Sequence, residues 1–121
     1  MADHNELGRK GENEAVSYLK SEGYKIIDRN WRKHGYEIDI IALSGEYIVF
    51  VEVKTRTTYD YGNPEDFVNK QRQRRMISAA NIYLNYFEID TPPRFDIVGI
   101  VWDGFKFQIE HIEDAFLPCI N

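Results

Sequence analysis

Apolar and polar positions along this chain follow two periods. Between Asn5 and Glu22, Ala15, Tyr18 and Leu19 recur at helical spacing and Gly23 follows as a C-terminal cap, which predicts a first helix. Tyr24 to Trp31 reads as a strand, with Arg29, Arg32 and Lys33 at its end. Glu37–Ala42 and Val49–Lys54 are two further strands around a turn at Ser44-Gly45. Asn63-Pro64-Glu65-Asp66 places a capping residue, a first-turn proline and acids at the positive dipole end, predicting a second helix to about Tyr86. Its buried stripe is expected at Ile77, Ala80 and Leu84. After a turn at Thr91-Pro92-Pro93, Arg94–Trp102 reads as a strand, and Asp103-Gly104 turns it into a last one, Lys106–Ile112. Helix, three strands, helix, two strands is the order of an α/β layered domain with a mixed central sheet of about five strands. With no internal repeat, linker or low-complexity segment, residues 1–121 read as one domain.

Charges interrupt this pattern where apolar residues should dominate. Glu37 and Asp39 fall in the first hairpin strand, Glu52 and Lys54 in the second. An unpaired charge in a strand core is costly, so such groups are paired or bind a metal. Side chains alternate across a strand, so Glu37, Asp39 and Ile41 share one face, with Ile38, Ile40 and Ala42 on the other; Glu52 and Lys54 share a face with Ile48 and Phe50. A loop of even length, pairing Ile41 with Ile48, would put Glu37 across from Glu52 and Asp39 diagonal to it, all four charges on one face. An odd loop would send Asp39 to the valine face. An isolated Glu-x-Lys is commonly a solvated surface pair, but the added Asp39 and the apolar setting argue for a site. Carboxylates with a neighbouring lysine suit Mg2+ or Mn2+ and the hydrolysis of a phosphodiester, the lysine orienting or deprotonating water or stabilising developing charge.

Asp39 with Glu52-Val-Lys54 resembles the PD-(D/E)xK signature of restriction-endonuclease-like nucleases. More closely, the chain resembles the small bacterial YraN-like, or UPF0102, family, itself similar to archaeal Holliday junction resolvases. The resemblance is carried by Gly8-Arg-Lys-Gly11-Glu12, Tyr18-Leu19, Gly23-Tyr24, Arg29-Asn30-Trp31-Arg32, Glu37-Ile-Asp39, Val49-Phe-Val-Glu52-Val-Lys54-Thr-Arg56, and Lys70 ahead of Arg74. It covers roughly the first 100 residues. One departure is that Tyr36 separates Gly35 from the Glu-Ile-Asp element. The resemblance implies a restriction-endonuclease-like core, Mg2+ or Mn2+ held by Asp39 and Glu52, the Val53 carbonyl as a further ligand, and Glu12 binding through water or completing a second site. Lys54 would position the nucleophile. Glu37 is either a further ligand or the strand's entry residue. Glu12 also lies on the edge of the first helix's apolar stripe, with Gly8 and Gly11 allowing close backbone approach.

Net charge is −5, which by itself disfavours nucleic acid, but Lys54 to Arg75 holds six basic and three acidic residues. Lys70 continues the expected helix stripe toward the site, and its family counterpart occupies a matching position; Arg72, Arg74 and Arg75 suit phosphate contacts, with Arg56 and Arg32 near the site. No apolar run reaches membrane-spanning length, no signal-peptide pattern begins the chain, and Cys119 is a single cysteine, so a cytoplasmic protein is expected. His4, His34 and His111 lack ligand spacing. Three functions remain in play: a metal-dependent nuclease on DNA, branched DNA included and a homodimer on symmetric substrates; a non-catalytic nucleic-acid-binding module; and an interaction subunit using an apolar patch at Tyr59, Tyr61 and Phe67.

Overall fold

The computed structural model describes residues 2–57 and 68–118, with side chains from residue 6. The order is α1 (Ala2–Ser21), β1 (Lys25–Lys33), β2 (Tyr36–Ser44), β3 (Tyr47–Thr57), α2 (Lys70–Tyr86), β4 (Pro93–Trp102) and β5 (Phe107–Phe116), an α/β fold. The strands form one five-stranded sheet in chain order. Only β3 and β4 run parallel, joined through the crossover that contains α2, and the other neighbours are antiparallel. No helix among the described residues is long and apolar enough to cross a membrane.

Turn chemistry sets the register. His34-Gly35 joins β1 to β2, both residues in the left-handed region with φ of 54° and 80°, as a type I′ turn requires. Tyr36 after Gly35 therefore belongs to the strand, paired with Lys33. The second turn is Gly45-Glu46, one residue later than the sequence suggests, and it pairs Ser44 with Tyr47. This loop is even, as the single-face argument needs, but Ile41 meets Phe50 rather than Ile48. The expected pairing of Glu37 with Glu52 is absent, since the ladder ends at Ile40 and Val51.

Each face of the sheet carries a helix. Ala15, Val16 and Leu19 of α1 pack on Ile40, Ala42, Val49, Val51, Val98 and Ile100. Met76, Ala79, Ala80 and Tyr83 of α2 pack on Ile38, Ile41, Ile48, Phe50, Phe95 and Ile97. The α1 terminus closes as a Schellman motif around Gly23 (φ 91°), with Gly23 N–H on the Lys20 carbonyl and Tyr24 N–H on that of Leu19. The second helix departs from expectation. Its described part starts at Lys70, capped by the Asn69 side chain on Arg72 N–H, while residues 68 and 69 are non-helical; the expected start at Asn63-Pro64 lies outside the described residues. Its buried stripe is Met76, Ala79, Ala80 and Tyr83, one position before the expected one, with Ile77 and Leu84 only partly buried at its flank.

A buried polar cluster ties β4 to β5, to α1 and to Tyr24 between α1 and β1. Asp96 has 0% exposure. It accepts from Arg94 Nε at 3.0 Å and Nη2 at 2.9 Å, from Tyr24 Oη at 3.3 Å and from Asp114 N–H at 3.0 Å, and it lies 2.8 Å from His111 Nε2. Burial alone would raise its pKa, but the bonds to His111, Arg94 and the Asp114 amide outweigh that and hold it below the usual carboxylate range. The Asp114 amide comes from a bulge in β5, where Asp114 has φ 52°.

Candidate functional site

The charged residues of the β2–β3 hairpin collect where these two strands part. Their pairing is regular up to Ile40 and Val51. Beyond it, Val53 N–H donates to the Asp39 carboxylate at 2.8 Å instead of to the neighbouring strand. Strict alternation fails at this point: Ile38 joins Ile41 in the α2-side core rather than opposing it, while Asp39 lines a cavity on the α1 side. That cavity measures about 520 Å3, and Arg9, Glu12, Asp39, Val53 and Lys54 are among its lining residues.

Helix α1 brings Glu12 here through Gly11. A Cβ on Gly11 would lie 2.9 Å from Thr55 Cβ and closer still to the rest of that side chain, so only glycine lets α1 approach β3 this closely. A Cβ on Gly8 would meet nothing within 4 Å, so Gly8 plays no such part. Glu12 accepts from Arg29 at 3.0 Å and from Asn30 Nδ2 at 2.8 Å. Asn30 sits within β1 at φ 51°, a left-handed conformation asparagine tolerates better than most residues.

Glu52 approaches from the α2 side. It is 4% exposed and held by Arg72, with Nη2 2.6 Å from Oε1 and Nε 3.3 Å from Oε2; Lys54 Nζ is 3.8 Å from Oε2. Arg72, which the sequence offers as a phosphate contact, lies instead one helical turn before Met76 on the true buried stripe. Its pKa is raised: burial pulls it down, but the hydrogen bond and charge of Glu52 prevail. Asp39 is pushed up to about 7 by burial first and by Glu52 second, with Glu12 adding to the rise and the Val53 amide opposing it.

The remaining expected site residues are placed differently. Glu37 lines the same cavity as Asp39 but pairs there with Arg32, also a lining residue, at 2.8 Å, each side chain 42% or more exposed. Arg56 is buried, at 9% exposure, not displayed for a ligand at the surface. Arg75 is spent on the β1–β2 turn, donating to the Gly35 carbonyl at 2.9 Å and lying over the Tyr36 ring. Lys70 and Arg74 are exposed on α2, so the inward role expected for Lys70 falls to Arg72. Tyr59, Tyr61, Phe67 and Cys119 lie outside the described residues. Among the described residues no group of three His, Cys, Asp or Glu side chains is arranged to hold a metal ion. Of the expected set, Glu12, Glu37 and Asp39 line the one cavity, while Glu52 acts on Asp39 from the α2 side, and Glu12, Glu52 and Glu37 each pair with a cation. Arg29 and Asn30, as partners of Glu12, are the neighbours that sequence reasoning did not assign to the site, and Arg72 has Glu52 as its partner where a phosphate contact was expected.

The family profile described as "Uncharacterised protein family UPF0102" matches residues 11–100, the span from Gly11 through Asp39, Glu52 and Lys54 to β4. This chain belongs to the UPF0102 family. It is 47% identical over 118 residues to a UPF0102 protein of Bacteroides thetaiotaomicron, covering 98% of each chain. It is 48% identical over 120 residues to one from Parabacteroides distasonis, covering 98% of this chain and 99% of that protein. A UPF0102 protein of Flavobacterium johnsoniae is likewise 48% identical over 120 residues, with 96% and 98% covered. The UPF0102 match thus includes every element that builds the cavity except the first turns of α1.

Proposed function

We infer that this protein is a metal-dependent nuclease that hydrolyses phosphodiester bonds in DNA. The observation that carries this reading is Asp39: a carboxylate pushed up to about 7 by burial and by the charges of Glu52 and Glu12, lining a cavity with Lys54. Surplus negative charge beside an ammonium, in an oxygen-only donor set, fits Mg2+ or Mn2+, which use one or two carboxylates and keep several waters. Asp39 and Glu52 would hold the ion, with Glu12 beside them.

When bound, such an ion polarises a phosphoryl oxygen and lowers the pKa of a water ligand. The chain's own groups do the rest. Lys54, 38% exposed and 3.8 Å from Glu52, orients the attacking water and offsets charge growing on the phosphoryl oxygens. Arg72 fixes the Glu52 carboxylate bidentately, leaving it pre-oriented. Arg29 and Asn30 do the same for Glu12. The exposed Lys70, Arg74 and Arg32 would meet backbone phosphates, an interaction that falls steeply with salt. Paired cuts on a branched, symmetric DNA would call for a homodimer.

The test is Mg2+ and Mn2+ binding by calorimetry for wild type and Asp39→Asn, together with cleavage of labelled linear and four-way-junction DNA. Metal binding and metal-dependent cleavage that both vanish in the variant are the expected result. Salt-sensitive DNA binding that survives in Asp39→Asn, with no metal uptake and no cleavage by wild type, would replace the nuclease with a non-catalytic binding module.

A further inference from the structure

A second cavity, of about 410 Å3, opens between the N-terminal half of α1 and the β4–β5 hairpin, lined by Glu6, Leu7, Lys10, Trp102 and Phe107. Trp102 and Phe107 are cross-strand partners with ring centroids 4.8 Å apart. At the tip of the same hairpin Phe105 is 92% exposed. The tip is stiff. The Asp103 carboxylate accepts from the Phe105 and Lys106 amides, both at 2.8 Å, and from Gln108 Nε2 at 2.9 Å. A large apolar ring held out on a pre-ordered turn has little conformational entropy left to lose on binding.

The two cavities are neighbours along α1. Gly8, Arg9 and Glu12 line the carboxylate cavity, while Glu6, Leu7 and Lys10 line the aromatic one. The parallel register, Lys54 beside Gly99 and Thr57 beside Trp102, puts the hairpin beyond the end of β3 that carries Lys54. Exposed cations mark the route: Arg9, Lys10 and Lys106. Lys10 pairs with Glu6 at 3.3 Å, but these side chains are 62% and 52% exposed, and a pair so solvated is weak enough to be exchanged for a phosphate.

We propose that the groove at Trp102 and Phe107, with Phe105 beside it, is a subsite for an unpaired base of a nucleic acid strand whose phosphates follow Lys10 and Arg9 to the carboxylate cavity. Aromatic rings interleaved with cations suit single-stranded nucleic acid, since every base offers a stacking face. The proposal takes its direction from the nuclease reading and adds the substrate feature: a duplex with a single-stranded arm rather than a blunt duplex.

The experiment is fluorescence anisotropy in chelator, where no metal-dependent cleavage occurs. Wild type, Phe105→Ala and Phe105→Tyr are titrated onto a blunt duplex and onto the same duplex bearing a 3′ or 5′ single-stranded arm. Wild type is expected to prefer an armed duplex. Phe105→Ala is expected to lose about tenfold on that form and nothing on the blunt one, and Phe105→Tyr to retain the preference. Absence of nucleic acid binding, or equal affinity of wild type and Phe105→Ala for the armed duplex, would overturn the proposal. So would a wild-type dimer that Phe105→Ala converts to monomer in sedimentation, since the ring would then serve a protein contact. The Asp39→Asn cleavage comparison is read separately. An arm preference that needs Phe105 without cleavage of any substrate keeps the subsite and removes the nuclease; Asp39-dependent cleavage with no role for Phe105 does the reverse.

Discussion

Asp39 is the partly buried carboxyl group of the candidate cavity. Its pKa is pushed up to about 7 from an ordinary 3.8, by burial first and Glu52 next. The folded state therefore binds this proton more tightly than the unfolded chain does. The associated stability is full below about 4 and is lost as pH rises through about 7. Replacing Asp39 by Asn keeps an acceptor for the Val53 amide and removes the charge. In thermal melts with chelator, Asp39→Asn is expected to melt on the order of 5 °C above wild type at pH 8 and close to it at pH 4. Adding Mg2+ at pH 8 should raise the wild-type midpoint and leave the variant unmoved. A difference between the two proteins that is the same at both pH values would contradict the assignment.

At the scale of elements, the site depends on how closely α1 lies against β3 and on which face α2 presents. Gly11 sets the first. Gly11→Ala gains helix propensity, about 1 kcal/mol, but forces the Thr55 side chain aside, a strain on the order of 1–3 kcal/mol that should dominate. Gly8→Ala, with open space at its Cβ position, should only stabilise. Urea unfolding of both variants, and of Gly11→Ala combined with Thr55→Ala to recover part of the loss, checks the pair; equal effects at Gly8 and Gly11 would refute the close contact. The face of α2 was harder to read. Ile77, Ala80, Leu84 and the observed Met76, Ala79/Ala80, Tyr83 are both acceptable helical stripes, separated by one position. The aromatic neighbours of Tyr83 decide between them, Trp31 at 5.2 Å and Phe50 at 5.9 Å, and with that choice Arg72 replaces Lys70 as the cation turned inward.

For the whole molecule, the Asp96 cluster is the counterweight to the site. Its carboxylate joins side chains of β4, β5 and Tyr24 just ahead of β1, and through His111 Nδ1, 3.0 Å from Tyr18 Oη, it reaches α1. Removing one member of a buried charged pair strands the other, so Asp96→Asn should cost about 3–5 kcal/mol in urea unfolding. Because the folded pKa is lowered, the stabilisation is present above about 4, the usual carboxylate range, and is lost as pH falls below it. An unchanged urea midpoint would show that the cluster is spectator chemistry. Both edges of the sheet are charged, Lys25, Arg29 and Arg32 on β1 and Glu110, Glu113 and Asp114 on β5, which discourages edge-to-edge pairing.

Periodicity, caps and turn residues were enough to determine the element order, the α/β class and the charged hairpin, because these follow from local backbone preference and from side chains alternating along one strand. The parity of the β2–β3 loop was left open by the sequence, and the pairing of Ser44 with Tyr47 makes it even. What tertiary structure decided were matters of relative placement. The register moved by two residues because the turn closed at Gly45-Glu46. Alternation broke at Asp39 because its carboxylate took the Val53 amide. Each acidic residue found its cation on an element other than its own, Glu12 and Glu37 on β1 and Glu52 on α2. A local pattern carries the type of residue at a position, but a pairing between distant positions depends on the packing of helices against the sheet, and that is settled only when the whole chain is folded.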